Sequence, residues 1–406
     1  MDFLERHNFS LSIADKLHTK ILSDMERGLT SGGAEEAMIK AGSAAVRTIN
    51  TGESAIVIDA GGTNFRSSLV TKTESGIEIS DFEKTKMPAI DRELNKHEFY
   101  KAIADKIARL KDRADKISFC FSYAMAITED GDGKIIRFSK EVKAPQAIGT
   151  YLGKELLAEL KMQGWKKIKK INVLNDTTAL LLSSFVDSSH PSSWSSRLAF
   201  ILGTGMNSAY IHNKRIIVTE CGMFSDLPQS DFDLAVCKKT TLPQQSLLEK
   251  MSSGAYLGDL AYEMLKTACS ENEFSTQFCK TFSNFKYIAT ADFDGLFSTD
   301  RQTRLTSLCE SGTEADQQLL KKMITAIITR SAYLSAEAIS AAILSADKEK
   351  EDSSVCITCN GSTFWKTPLL KEKVESRLKE LLSTDFEIIQ IDDDITKGSF
   401  AAAFIQ

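Results

Sequence analysis

The sequence predicts an α/β protein of two similar lobes with a cleft between them. Three observations carry that expectation. The chain has 406 residues, too many for one ordinary core and enough for two that each fold cooperatively. A run of short β-rich segments around a glycine turn begins near residue 54, and the same order restarts after Ser195 around a second glycine turn. Helical periodicities then separate the later strands of each half, the alternation that gives a mixed sheet covered by helices.

The elements follow in order. Phe9, Ile13, Leu17, Ile21 and Met25 stand at helical spacing, with Ser12 and Asp15 as a capping-type start, so an amphipathic helix is expected there. SAIVID, FRSSLV and GIEISDF read as three consecutive strands. A helix over 97–112, the strand ISFCFSYAMAI, a helix over 149–162 and the strand INVL complete the first half. The second half reads RLAFIL, SAYIHN and RIIVTEC as strands, a helical insertion over 244–345, the strand SSVCITC, a helix over 368–382 and the strand FEIIQI. Cys356 and Cys359 have zinc-like spacing, but no second pair follows and the alternation is that of a buried strand. SADKEKEDSS, residues 345–354, reads as a solvated charged loop.

Composition narrows the function. Apolar content of 42%, 26% charged residues and six prolines describe an ordinary globular chain without long disordered linkers. A net charge of -5 offers no general attraction to nucleic acid or to an acidic membrane, so small-molecule substrates are expected. No uninterrupted apolar run approaches the ~18 residues of a membrane span. Eight scattered cysteines and a start, MDFLERHNF, without a leader-like pattern predict a reducing cytoplasm.

Three motifs carry chemistry. In IDAGGTNFR a strand ends in Asp59 and turns through Gly61 and Gly62. Glycine N–H groups and the Thr63 hydroxyl can face an anion there, and Asp59 can position Mg2+ or its waters against phosphates. The alternative for Gly-Gly alone is an ordinary hairpin turn. Gly203, Thr204 and Gly205 repeat the device, so a polyphosphate could be gripped from both lobes. In VLNDTTALLL a strand ends at Asn175 and Asp176 before a helix. A carboxylate placed there can take the proton of an alcohol that attacks a phosphoryl group, or can simply N-cap the helix.

Together these motifs, Asp59-Ala60-Gly61-Gly62-Thr63-Asn64-Phe65-Arg66, Asn175-Asp176-Thr177 and Gly203-Thr204-Gly205, resemble those of the hexokinase family and stand in the family's order. Phe121-Ser122-Tyr123, Ser139-Lys140, Val218-Thr219-Glu220, LLEKMSSGAYLGDL, Asn360-Gly361-Ser362-Thr363 and Lys397-Gly398-Ser399 extend the match over 54–406.

The resemblance implies two ribonuclease-H-like, actin-like lobes with a mixed sheet in each. Residues 1–52 and 178–392 would form the large lobe, and 53–177 and 393–406 the small one. It implies hexose and MgATP as partners, with Asp176 as catalytic base and Lys140 near the transferred phosphoryl. Sugar would be held by Ser122, Ser139, Lys140, Asn175, Asp176, Asn207, Glu220 and Glu249. ATP would be held by Asp59, Gly61, Gly62, Thr63, Asn64, Arg66, Gly203, Thr204, Gly205, Gly361, Ser362, Lys397 and Gly398, with Asp59 toward Mg2+. Ala124 replaces the family's proline, Ser139 its threonine and Cys221 its tryptophan, substitutions that would reshape the sugar pocket. A sugar sensor without turnover and a chaperone-like or filament-forming ATPase are the other readings of such lobes.

Overall fold

The computed structural model describes residues 2–138, 141–189, 194–298, 300–347 and 354–405. Ser139, Lys140 and residues 348–353 of the charged loop lie outside the described residues.

Each half builds one sheet. In the first, the order across the sheet is Gly76–Lys86, Asn64–Thr73, Ser54–Gly61, Ile117–Phe121 and Ile171–Leu174. The first three strands are antiparallel and the last two pairings are parallel. In the second, Arg215–Val218, Met206–His212, Ser196–Leu202, Val355–Asn360 and Phe386–Ile389 repeat that order and those directions. Both sheets therefore run third, second, first, fourth, fifth, which bears out the internal repeat. Ile39–Ser43, which sequence reasoning missed, adds an antiparallel edge strand to the second sheet. Its IKAGS sequence has too few β-branched residues to announce a strand.

Parallel strands are covered on both faces and lose the alternation of half-buried ones. Ile117–Phe121 is buried at every position, and so are Val355–Cys359 within their strand. Cys356 and Cys359 are core residues of that strand, and all eight cysteines are free thiols.

Two helices join the lobes. Asp176–Ser183 follows the last strand of the first sheet and contributes Ala179, Leu180, Leu181 and Leu182 to a cluster with Cys120, Ala199 and Ala209. Asp394–Ala402, also missed from the sequence, follows the last strand of the second sheet and crosses the first helix. At the crossing a Cβ on Gly398 would stand 1.7 Å from the Ala179 carbonyl oxygen, so only glycine permits this approach.

Two expected elements differ. ISFCFSYAMAI is not one strand: after Phe121 the chain leaves the sheet and forms a separate hairpin, Ala124–Ile127 with Gly133–Arg137. The N-terminal helix runs Leu17–Thr30, behind Lys16 in the left-handed region at φ 59°, and Ser12 opens only a short turn. Leu17, Ile21 and Met25 do form its buried stripe. Phe9 instead lies under Arg330, 4.0 Å from the guanidinium carbon, and Arg330 is fully buried against Asp233. The helix Glu314–Ser345 is long and apolar enough to cross a bilayer, yet 89% of its apolar window is buried inside the protein, as the central helix of the larger core.

Candidate active site

The cleft between the sheets has a volume of about 550 Å³. Ser122, Asn175, Asp176, Gly205, Asn207, Glu220 and Glu249 line it together, so polar residues far apart in sequence share one cleft. Ser122, just beyond the strand Ile117–Phe121, is fixed as its N–H donates at 2.9 Å to the carbonyl of Ala60, the residue after Asp59.

Asn175, not Asp176, caps the helix. Its Oδ1 accepts the Thr178 N–H at 2.8 Å, which leaves Asp176 as the first helical residue. Asp176 Oδ1 accepts from the Thr177 N–H at 2.7 Å and the Thr177 hydroxyl at 3.2 Å. Its Oδ2 accepts no hydrogen bond among the described residues, and the residue lines the cleft. Burial raises the Asp176 carboxyl above the ordinary aspartate range, and Asp59 adds to the rise, while the Thr177 bonds oppose it.

The larger lobe supplies a rigid polar floor. Asn207 Nδ2 donates to Glu220 Oε1 at 2.7 Å, and Asn207 Oδ1 accepts the N–H groups of Ser208 and Glu220. Glu220 sits in the left-handed region at φ 55°. Glu249, on the short helix Leu247–Ser252, accepts the Met206 N–H at 3.0 Å. It reaches the cleft only because two neighbours lack side chains. A Cβ on Gly205 would stand 2.7 Å from Glu249 Oε2, and one on Gly222 would stand 3.0 Å from Glu249 Cβ. Burial raises the carboxyls of both glutamates, and Asp176 and Glu249 add to the rise at Glu220. Carboxylates are acceptors only, so a cluster of them with amides between suits a ring of hydroxyl donors. Cys221 is buried and does not line the cleft.

The first glycine turn closes the hairpin between Ser54–Gly61 and Asn64–Thr73. Gly62 takes φ +57°, and a Cβ there would meet nothing within 4 Å. The Tyr123 hydroxyl donates to the Gly62 carbonyl at 2.7 Å, holding the turn against Ser122. Arg66 Nη1 donates to Asp59 Oδ2 at 2.6 Å across the register pair Asp59–Arg66. Asp59 Oδ1 is left without a hydrogen bond among the described residues. Thr63 and Asn64 belong to the same hairpin.

The second turn is knit to the adenosine-type motif. A Cβ on Gly361, at φ +116°, would stand 2.2 Å from the Leu202 carbonyl oxygen; one on Gly254 would stand 2.1 Å from Thr363 Oγ1. Thr363 Oγ1 and the Gly254 N–H both donate to the Gly203 carbonyl at 2.8 Å. Next to this knot Thr204, Gly254, Thr290, Ser362, Thr363 and Lys366 line a second cavity of about 320 Å³. Lys397 and Gly398 line neither cavity: the Lys397 ammonium lies 3.6 Å from Asp187, and Gly398 is buried at the helix crossing.

Sequence reasoning missed Tyr123 as the brace of the first turn, Gly254 and Thr290 beside the second, and Asp394. Asp394 is the first residue of the helix after the fifth strand of the second sheet, the counterpart of Asp176. Superposing the two halves of the sequence on their strand order would have found it.

Comparison with known proteins agrees with this geometry. Two hexokinase family models match, one over residues 1–186 and one over 197–405. Hexokinase-1 of Schizosaccharomyces pombe is 23% identical across 98% of this chain and 88% of its own length. Hexokinase-5 of Oryza sativa subsp. japonica is 26% identical across 90% and 80%. In fold, a hexokinase from Schistosoma mansoni solved with glucose aligns with a TM-score of 0.75 at 21% identity, covering 99% of this chain and 97% of that one. Another hexokinase crystal structure aligns with a TM-score of 0.77 at 20% identity, covering 100% and 97%. With family matches over nearly its whole length and both lobes in place, the chain belongs to the hexokinase family of hexose-kinase phosphotransferases.

Proposed function

We propose that the protein transfers the γ-phosphoryl group of MgATP to the 6-hydroxyl of glucose or a related hexose. The observation that carries this reading is the free Oδ2 of Asp176, held in the same cleft as Asn207, Glu220 and Glu249. The amides and carboxylates receive the ring hydroxyls and leave the hydroxymethyl group beside Asp176. Asp176 takes the proton of that hydroxyl as its oxygen bonds to the γ-phosphorus, and the bond from that phosphorus to the β,γ-bridging oxygen breaks to release ADP. Lys140 is assigned from its motif to neutralise charge on the transferred oxygens.

The nucleotide is assigned to the two glycine turns and the adjoining cavity at Thr204 and Ser362. Mg2+ fits Asp59, whose Oδ1 is a free hard-oxygen donor while Oδ2 is held by Arg66. When bound it would supply charge neutralisation on the phosphate oxygens. Its free thiols fit a reducing cytoplasm, where we place it.

The test is a product assay with ATP, Mg2+ and glucose, read for a hexose 6-phosphate, followed by relative kcat/KM for mannose, fructose and N-acetylglucosamine. Glucose binding without phosphorylated product would leave a sugar sensor in place of an enzyme. ATP hydrolysis indifferent to every hexose would leave an ATPase.

A further inference from the structure

A third cavity, of about 450 Å³, opens on the small lobe away from both substrate regions. Its walls are the turn at 128–132, the start of the helix Leu152–Met162 with Tyr151, Lys154 and Leu157, and Lys169, Lys170 and Ile171. Lys169 and Lys170 enter the strand Ile171–Leu174 at its N-terminal end, whereas Asp176 stands just past its C-terminal end. At ~3.3 Å per residue the cavity is roughly 15–20 Å from the catalytic carboxylate.

Its charge is unbalanced. Lys154, Lys169 and Lys170 are exposed and form no ion pair among the described residues. Elsewhere on the same lobe Lys86, Lys96, Lys101 and Lys116 each hold a carboxylate. Three lysines against the two aspartates in the wall leave it net positive by one charge. Asp132 is fixed in place by three backbone donors, the N–H groups of Gly133 at 2.7 Å, Gly153 at 2.6 Å and Lys154 at 2.9 Å. Asp130 accepts the Thr128 hydroxyl and offsets Lys170 alone. Lys166 and Lys167 are exposed as well, but Asp112 accepts both their N–H groups and offsets Lys167. Against this rim stand the Tyr151 ring, 40% exposed, and Leu157, which form an apolar wall.

The turn at 128–132 also belongs to the hairpin whose strands line the hexose cleft through Ala124, Met125, Ile127 and Ile136. The hairpin is tightly coupled to its surroundings. Val173 N–H donates to the Gly131 carbonyl at 2.8 Å, and a Cβ on Gly133 would stand 2.8 Å from Met125 Sδ and 2.9 Å from Val173. Ile135 exchanges hydrogen bonds with Thr150 and Gly149, next to Tyr151. The turn thus packs continuously onto the strands that carry Met125 and Ile136 into the cleft, a contiguous route for coupling.

We propose that this cavity is an effector site for a small molecule that joins a phosphate group to a flat or apolar body, with the lysines on the phosphate and Tyr151 and Leu157 against the body. Its occupancy alters hexose affinity through the hairpin. AMP is the probe for that chemistry and inorganic pyrophosphate the probe for charge alone. Calorimetric titrations are run with the cleft filled by glucose and a non-hydrolysable ATP analogue, so that any further binding is elsewhere.

The expected result is one AMP per chain, bound at least tenfold more weakly by the Lys169→Glu/Lys170→Glu protein and by Tyr151→Ala, with turnover of both variants in the absence of AMP unchanged. AMP should also shift the hexose KM of the wild type, and not of the charge-reversed protein, by about fivefold, the low end of allosteric coupling. Pyrophosphate bound as tightly as AMP overturns the role of the apolar wall. Absence of binding, or binding indifferent to the lysine reversal, overturns the site. The titration reads binding and not phosphoryl transfer, so its failure is separable from failure of the kinase assignment.

Discussion

Replacing Asp176 with asparagine removes one charge and little else. Asparagine keeps an oxygen at the Oδ1 position, so the two Thr177 bonds survive and the helix, capped by Asn175, is undisturbed. The atom that changes is Oδ2, which accepts no hydrogen bond among the described residues. An amide nitrogen at Oδ2 cannot take a proton, so kcat should fall at least about 100-fold, the low end of general-base effects and about 2.7 kcal/mol of barrier. Glucose affinity, measured by calorimetry, should change little.

The same substitution should stabilise the fold at neutral pH. The Asp176 carboxyl is raised in the folded protein by burial and by Asp59. A raised acid favours the folded state most below its ordinary value of 3.8, and that contribution is lost as pH rises through the folded value. At pH 7 the ionised side chain is therefore a cost that asparagine relieves. Asp176→Asn should melt higher than wild type at pH 7, with the gap closing toward acid pH. For the wild-type enzyme, kcat/KM should fall as pH drops through the same raised value, above the pH at which an exposed aspartate titrates. A folded Asp176→Asn protein with near wild-type turnover would refute the assignment. A lower melting point at pH 7 would refute the electrostatic account while leaving the assignment standing.

Gly62→Val should raise the KM for MgATP far more than it changes hexose binding, because at φ +57° the new side chain projects into the open space in front of the first turn; unchanged nucleotide affinity in a folded protein would sink the phosphate assignment of that turn. Gly361→Ala combines a left-handed φ of +116° with a Cβ 2.2 Å from the Leu202 carbonyl, so a loss of about 1–3 kcal/mol in denaturant melts is expected, together with a raised KM for ATP; a wild-type midpoint would show that the knot with Gly203 yields freely. Sugar contacts from both lobes should draw them together, so glucose should shrink the radius of gyration in small-angle scattering. Xylose, which lacks the reacting hydroxymethyl group, should stimulate ATP hydrolysis above the sugar-free rate; glucose binding without either effect would exclude induced closure.

Much of the fold was legible because the strands of each half are apolar and punctuated by glycine, so their number and repeat could be read directly. The candidate site was legible where the local pattern is unusual, as in Asp59 to Arg66 and Asn175-Asp176. What could not be read depends on tertiary contact. Glu249 in LLEKM looks like a surface residue, and only the missing side chains at Gly205 and Gly222 admit it to the cleft. Ile39–Ser43 is a strand because Arg215–Val218 offers it an edge, not because IKAGS prefers one. ISFCFSYAMAI has no turn signal, and the break after Phe121 appears only once Ser122 bonds to Ala60 and the chain turns away. The role expected of Gly398 in holding nucleotide rested on its motif alone, and its burial against Ala179 gives it a packing role that sequence spacing does not reveal.

The duplicated architecture presents two candidate bases, and local chemistry distinguishes them. Asp176 and Asp394 each open the helix after the fifth strand of a sheet, and each accepts the N–H of the next residue at 2.7 Å. Burial raises both carboxyls, and Asp59 adds to the rise at both. They differ at the second oxygen. Asp394 Oδ2 accepts the Asn360 side-chain amide and the residue is only 8% exposed, whereas Asp176 Oδ2 accepts no hydrogen bond among the described residues and Asp176 lines the cleft. A base needs an unoccupied lone pair within reach of the proton it removes, which favours Asp176 as the proposed acceptor and gives Asp394 a supporting place at the end of the fourth strand of its sheet. Asp394→Asn should therefore lose less than about tenfold in kcat, with any larger effect confined to the KM for ATP through Asn360 and its neighbour Gly361. Loss of kcat equal to that of Asp176→Asn, with ATP affinity intact, would mean that both carboxylates serve the chemical step and that one free oxygen is not what separates them.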